Sequence, residues 1–311
     1  MQFFRTPNYD FISVRRKAML LSAIALLIGI GSIGLHKGFR MSIDFAGGSL
    51  VEIRLEHAVP LADVRAFISD AGFSGAEVTN FGAHNEYLIK VKAVGNAAEV
   101  AQRIKTALAA DIKDQQIDIR RTETVGPKIG SELRNAMFWA VIYSLLGIVV
   151  YVSWRFQFRF AIAAILALIH DVLFTLGFFS VINLEVSLAV IAAVLTIVGY
   201  SLNDTIVVFD RIRENIHSKR RETYDQLVNG SINETLSRTI ITSGTTLFVV
   251  VSLVLFGGEV IKDFALTLLI GIIVGTYSSI FIASPILVEW HHWRVGKGTG
   301  KQSKPDKTRK R

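Results

Sequence analysis

The sequence predicts a polytopic α-helical membrane protein with six transmembrane helices. One external α+β, ferredoxin-like (βαββαβ) domain is expected between helices 1 and 2. Three observations lead there. First, 51% of the 311 residues are hydrophobic and the mean hydropathy is +0.43, too apolar for an ordinary soluble protein, with several runs near membrane length. Second, one long block is polar and balanced: residues 36–136 carry thirteen Lys/Arg and thirteen Asp/Glu. Third, the net charge of +8 therefore falls in tails and short loops, which is how membrane orientation is encoded and argues against nucleic acid as a partner. Cysteine is absent, which excludes disulfides and thiolate metal sites.

Residues 1–17 form a first polar segment that ends in Arg15, Arg16 and Lys17. The apolar run 18–35 is read as a retained anchor, because no small-x-small cleavage site follows and the run is long enough to span. Gly29, Gly31 and Gly34 suggest close packing against another helix. Residues 36–135 then hold the external domain with its linkers. Gly47-Gly48 can supply an unusual backbone turn ahead of a strand over 48–55. Leu61, Val64, Phe67, Ile68 and Ala71 recur at helical spacing. Strands are expected over 76–81 and 87–93, around Gly82 to Asn85. A second helix follows, capped by Asn96, with Ala97, Val100, Ile104, Ala107 and Leu108 on one face. Residues 117–125 close as a strand, completing the split βαβ order. About 85 residues suffice for a small core. His57 and His84 are isolated and read as surface or loop residues. No phosphate-cradling loop, metal-ligand cluster or nucleophile–base pair is visible, so no cofactor, metal or enzymatic activity is expected.

Residues 136–288 hold five more apolar runs, placed at 136–154, 160–180, 186–209, 239–256 and 264–288. Six spans put both tails on one side. Lys/Arg number four in residues 1–17, two in 155–159, six in 210–238 and eight in the basic tail 289–311; the opposite loops 181–185 and 257–263 hold none and one. Both termini are therefore expected in the cytoplasm and the external domain in the periplasm. Composition predicts disorder for the end of the tail, from Lys297.

Inside these spans a few polar residues stand out. A carboxylate near a helix centre costs roughly 2.5–3.5 kcal/mol on insertion scales, so Asp204 and Asp171 call for a role. Asp204 lies about five residues, or roughly 7–8 Å, from the cytoplasmic end of its run. Arg238, at the edge of the next run, reaches a comparable depth if that helix starts a turn earlier. A cation favours the charged carboxylate and an apolar surround the neutral one, a balance that suits a group which takes up and releases protons. The alternative is a structural pair that locks two helices. Thr196, Tyr200, Asn203, Asp204 and Val207 form a stripe expected to face inward or toward a partner. Asp171 is open to either a packing hydrogen bond or a transport role. His170 is read as its packing partner, since no second metal ligand has suitable spacing. Glu185 and Lys262-Asp263 are expected at the outer surface.

These residues fall in separated motifs: SIDFAGGSLVE (42–52), the His170-Asp171 pair, VGYSLNDTIVVFDRIREN (198–215) and TLSRTIITSGTT (235–246). Together they resemble the SecF family, subunits of the SecDF protein-export complex in the resistance–nodulation–division superfamily. The resemblance implies an inner-membrane, multi-pass subunit that works with SecD beside the SecYEG channel, with YajC as a further partner. It would use the proton motive force to promote late translocation of polypeptides. It also implies that Asp204 and Arg238 form the proton relay, with Asn203, Tyr200, Asp171 and His170 in support. Asp44, Gly47 and Gly48 belong to the family motif after helix 1.

Overall fold

The structure, a computed structural model, describes residues 7–92, 97–112, 115–219 and 221–299. The expected Asn96 cap and the last twelve residues of the basic tail lie outside them. Six helical segments are long and apolar enough to cross a membrane. They begin with α1 (Arg15–Leu35), whose last turn leads into a polar block. The block opens on a one-turn helix that the sequence did not suggest, α2 (Ile43–Ala46), capped by Ser42, whose hydroxyl accepts from the Asp44 amide. Then come β1 (Gly48–Leu55), α3 (Leu61–Asp70), β2 (Glu77–Phe81), β3 (Ala83–Val91), α4 (Ala97–Asp111) and β4 (Ile117–Val125). All pairings are antiparallel, in the order β2-β3-β1-β4. The β2–β3 connection is tighter than expected. Gly82 alone sits at its tip with φ +72, and a register shift after Asn80 absorbs the extra residues of β3.

The apolar periodicities behave as anticipated. Val64 and Ile68 of α3 and Val100, Ile104 and Leu108 of α4 are buried against Val51, Ile53, Val78 and Ile89. His57 and His84 are exposed.

The remaining helices are α5 (Pro127–Arg155), α6 (Phe158–Val181), α7 (Leu188–Ser218), α8 (Tyr224–Phe256), α9 (Glu259–Ser278) and α10 (Ser284–Thr299), with a π-helical stretch, Ser279–Ala283, between the last two. Several run well beyond the apolar runs, because polar flanks carry their own helix signals. Proline stands at the start of α5, where its missing N–H is harmless. Thr223 and Gln226 form a capping box that starts α8 fifteen residues before its apolar run. Gly258, at φ +76, separates α8 from α9.

Two packing features organise the bundle. At the α1–α6 crossing a Cβ on Gly29 would lie 2.8 Å from the Gly177 Cα; small residues permit this approach. Gly31 and Gly34, expected in the same role, have open space around them. Along α7 and α9, Gly271 receives Ile197 and Gly275 receives Ser201. Large apolar side chains on α1, α5 and α8, such as Leu27, Trp139 and Phe248, remain exposed, as suits helices whose solvent is lipid.

Candidate intramembrane polar site

The α7–α9 seam brings two carboxylates into the core of the bundle. Asp204, on α7, is 2% exposed. The Ser243 hydroxyl of α8 donates to its Oδ2 at 3.0 Å, and Thr276 of α9 lies 3.4 Å from the same oxygen. Thr276 Oγ1 is also 2.8 Å from Ser243 Oγ. Each hydroxyl has one proton to donate, so the shorter contacts define a chain, Thr276 to Ser243 to Asp204. Three helices thus meet at one carboxylate.

Arg238 makes no ion pair with Asp204. The reason is helical geometry. Thr239 and Ser243, four residues apart, are buried on the face of α8 that meets α7. Arg238 is turned about 100° from Thr239 and is exposed. Arg211 and Lys219 instead meet Glu234, one turn before Arg238, at 2.5 and 2.7 Å.

The second carboxylate is more enclosed. Asp171, on α6, is 1% exposed. Its Oδ2 accepts from Ser201 of α7 at 2.5 Å and from Ser278 of α9 at 2.7 Å, and its Oδ1 lies 2.9 Å from His170 Nδ1. His170 Nε2 is buried without a partner. Ser201 is one turn from Asp204, and Ser278 is two residues from Thr276, so the two sites share a seam. The π-helical stretch begins immediately after Ser278; such irregular turns are frequent at functional sites.

The expected stripe on α7 is divided. Asp204 faces inward, Tyr200 is half-buried and donates to the Thr242 carbonyl at 3.1 Å, and Thr196 and Asn203 face outward. Sequence reasoning missed Ser201, Ser243, Thr276 and Ser278, because hydroxyl residues are common in apolar helices, where they bond their own preceding carbonyls. It also took Glu185 for a surface residue. Glu185 is 7% exposed, held by Arg40 at 3.0 Å and Lys92 at 3.4 Å. Among the described residues no group of three or more His, Cys, Asp or Glu could hold a metal ion.

The family described as protein export membrane protein SecD/SecF, C-terminal, matches residues 104–293. The SecD/SecF GG motif matches residues 33–59, which include Gly47 and Gly48. The protein translocase subunit SecF of Desulfurispirillum indicum is 46% identical over 297 residues, 93% of each chain. The chain belongs to the SecF family. Its SecF relative from Magnetococcus marinus is 45% identical over 92% of this chain and 93% of its own.

Among solved structures, that of SecDF from Thermus thermophilus, described as a translocon-associated membrane protein, superposes with a TM-score of 0.79 at 41% identity. The match covers 92% of the present chain and 39% of the SecDF chain. A SecDF structure in a form called super-membrane-facing gives a TM-score of 0.74 at 39% identity, over 97% of this chain and 41% of that one. This SecF-family chain is thus a multi-pass membrane protein whose fold corresponds to one part of SecDF.

Proposed function

We propose that the chain is a SecF-like subunit of the Sec protein-export machinery. In this reading it works with SecD and uses the proton motive force to promote late translocation of polypeptides through the SecYEG channel, with YajC as an accessory partner. The membrane is the bacterial inner membrane and both termini are cytoplasmic, as the Lys/Arg asymmetry of the loops implies. Residues 36–135, with strand order β2-β3-β1-β4, form a ferredoxin-like periplasmic domain that engages the emerging chain.

One observation carries the reading: Asp204 is buried in a spanning helix and held by hydroxyls of two other helices, with no cation among the described residues in ion-pair contact. Hydroxyls accept as well as donate. Ser243 and Thr276 can therefore turn to solvate either the charged or the neutral carboxyl, and a proton gained or lost at Asp204 reorders contacts among α7, α8 and α9. Arg238, exposed one turn along α8 from Thr242, is the cation that joins the relay when these helices shift, or when SecD covers that face. Asp171 and His170 hold α6 to the same seam.

The energy scale fits this coupling. One proton crossing the full potential supplies about 2.3 kcal/mol per 100 mV, whereas turning a two-state equilibrium from almost wholly one form to the other takes about 5.5 kcal/mol. More than one proton, or a pH gradient as well, drives each full stroke. The test is Asp204→Asn, which keeps the shape and a hydrogen-bond acceptor but cannot ionise. The variant is expected to insert, assemble and lose gradient-dependent stimulation of translocation; normal stimulation would refute the relay.

A further inference from the structure

The motif after helix 1 has no part in the relay, yet it lies where the external sheet joins the membrane bundle. Its backbone turns sharply. Ser42 caps α2, and Gly47 follows at φ +80. At Gly48, the first residue of β1, a Cβ would fall 2.4 Å from the Val91 carbonyl oxygen. The turn is seated on α5, because Gly130 leaves room for the Phe45 carbonyl, which accepts from Arg134 Nη1 at 2.9 Å. On its other side it meets α7. The Asp44 Oδ2 accepts from the Leu188 amide at 3.0 Å, and Leu188 is the first residue of α7. The same oxygen accepts from the Ser42 hydroxyl at 3.0 Å, which fixes the carboxylate's direction. A negative group there also suits the positive end of the helix.

Asp44 is not alone at this joint. The Val186 amide donates to the Arg40 carbonyl at 2.8 Å, and the Ser42 amide to the Val186 carbonyl at 3.0 Å. Glu185 pairs with Arg40 of the linker and Lys92 at the end of β3. The strand, the turn and the start of α7 are thus fastened within a few residues. From Leu188 the helix runs unbroken past Asp204, sixteen residues or about 24 Å along its axis.

We infer that Asp44 is a positioning residue for coupling: it ties the external sheet to the end of α7, so that displacement of one is passed to the other and hence to Asp204. The inference rests on the proton-driven reading above, and its test separates the two.

The chain has no cysteine, so spin labels can be placed cleanly at Arg120→Cys on β4 and His217→Cys near the far end of α7, both exposed positions. The distance between them is measured in the full chain assembled with its partner subunit in bilayers. Without further substitution the distribution is expected to be narrow. Asp44→Ala broadens it, and so does Leu188→Pro, which removes the donor at a position where proline suits a helix start. The double variant is no broader than either single one, and Asp44→Asn, which still offers an acceptor oxygen, stays narrow. The first two variants are also expected to lose gradient-stimulated translocation. An unchanged distribution in both Asp44→Ala and Leu188→Pro would overturn the inference, as would a double variant much broader than either. Normal translocation in Asp204→Asn, with the distance results as expected, would overturn the relay alone.

Discussion

Replacing Asp171 with leucine removes the acceptor of three donors at once. Two of these, Ser201 and Ser278, come from other helices, at 2.5 and 2.7 Å. Hydrogen bonds between membrane helices average about 0.6 kcal/mol and reach about 1.7, so the two together contribute roughly 1–3 kcal/mol. The donors left behind differ. Ser278 also lies 3.1 Å from the Gly275 carbonyl and keeps that acceptor, whereas the Ser201 hydroxyl makes no second hydrogen bond among the described residues. His170 loses its Nδ1 partner while its Nε2 already has none. An unsatisfied buried donor costs about 1–3 kcal/mol, which brings Asp171→Leu to about 3 kcal/mol. Reversible unfolding in bilayers or mild detergent gives the loss directly, and a double-mutant cycle with Ser201→Ala isolates one bond. A coupling near 1 kcal/mol is expected at that bond. A total loss below about 0.5 kcal/mol, or no coupling to Ser201, would refute the view that Asp171 binds α6 to the α7–α9 seam.

Other consequences follow from single contacts. Gly29→Ala places a Cβ against the backbone of Gly177, 2.8 Å away, so α1 and α6 must separate; a loss of about 1–3 kcal/mol is expected in thermal unfolding, while Gly31→Ala, with open space around it, serves as a neutral control. Thr223→Ala removes the hydroxyl that accepts from the Gln226 amide and should cost about 1 kcal/mol, read as faster hydrogen exchange in the first turn of α8. At Glu185, burial and then the neighbouring Glu77 push the carboxyl above its ordinary value, against the pull of Lys92 and Arg40. The folded state therefore holds this proton more tightly than the unfolded chain, and the group's contribution falls as pH rises from the ordinary carboxyl range through the raised one. Unfolding of the wild type and Glu185→Gln across that window should show the wild type losing stability relative to the variant as pH rises; a constant difference would contradict it.

Much of this architecture is visible in hydropathy and periodicity. The apolar runs mark all six helical segments, and Val64, Ile68, Val100, Ile104 and Leu108 mark the faces that cover the sheet. The carboxylates at Asp204 and Asp171 announce themselves by their cost in lipid. Their partners do not. Ser243 and Thr276 look like any hydroxyls in an apolar helix until α8 and α9 are set against α7. A one-residue offset on α8, from the position of Arg238 to the face that carries Thr239 and Ser243, decides whether a cation or the Ser243 hydroxyl meets the aspartate, and helix bounds read from sequence are too coarse to resolve it. Glu185 misleads for a related reason: a polar residue in a short loop looks solvated until Arg40 and Lys92, distant in sequence, close over it. The one-turn helix at Ile43–Ala46 is too short to show a period and is legible only through its Ser42 cap.

The central claim is that Asp204 changes protonation during the working cycle. Infrared difference spectroscopy of the assembled complex in sealed vesicles reads this through the C=O stretch of a protonated carboxyl. A band is expected that changes amplitude when a proton gradient is imposed, is absent in Asp204→Asn, and persists in Asp171→Asn. A gradient-induced band that survives in Asp204→Asn, or a carboxyl at Asp204 that stays in one protonation state with and without the gradient, would contradict it.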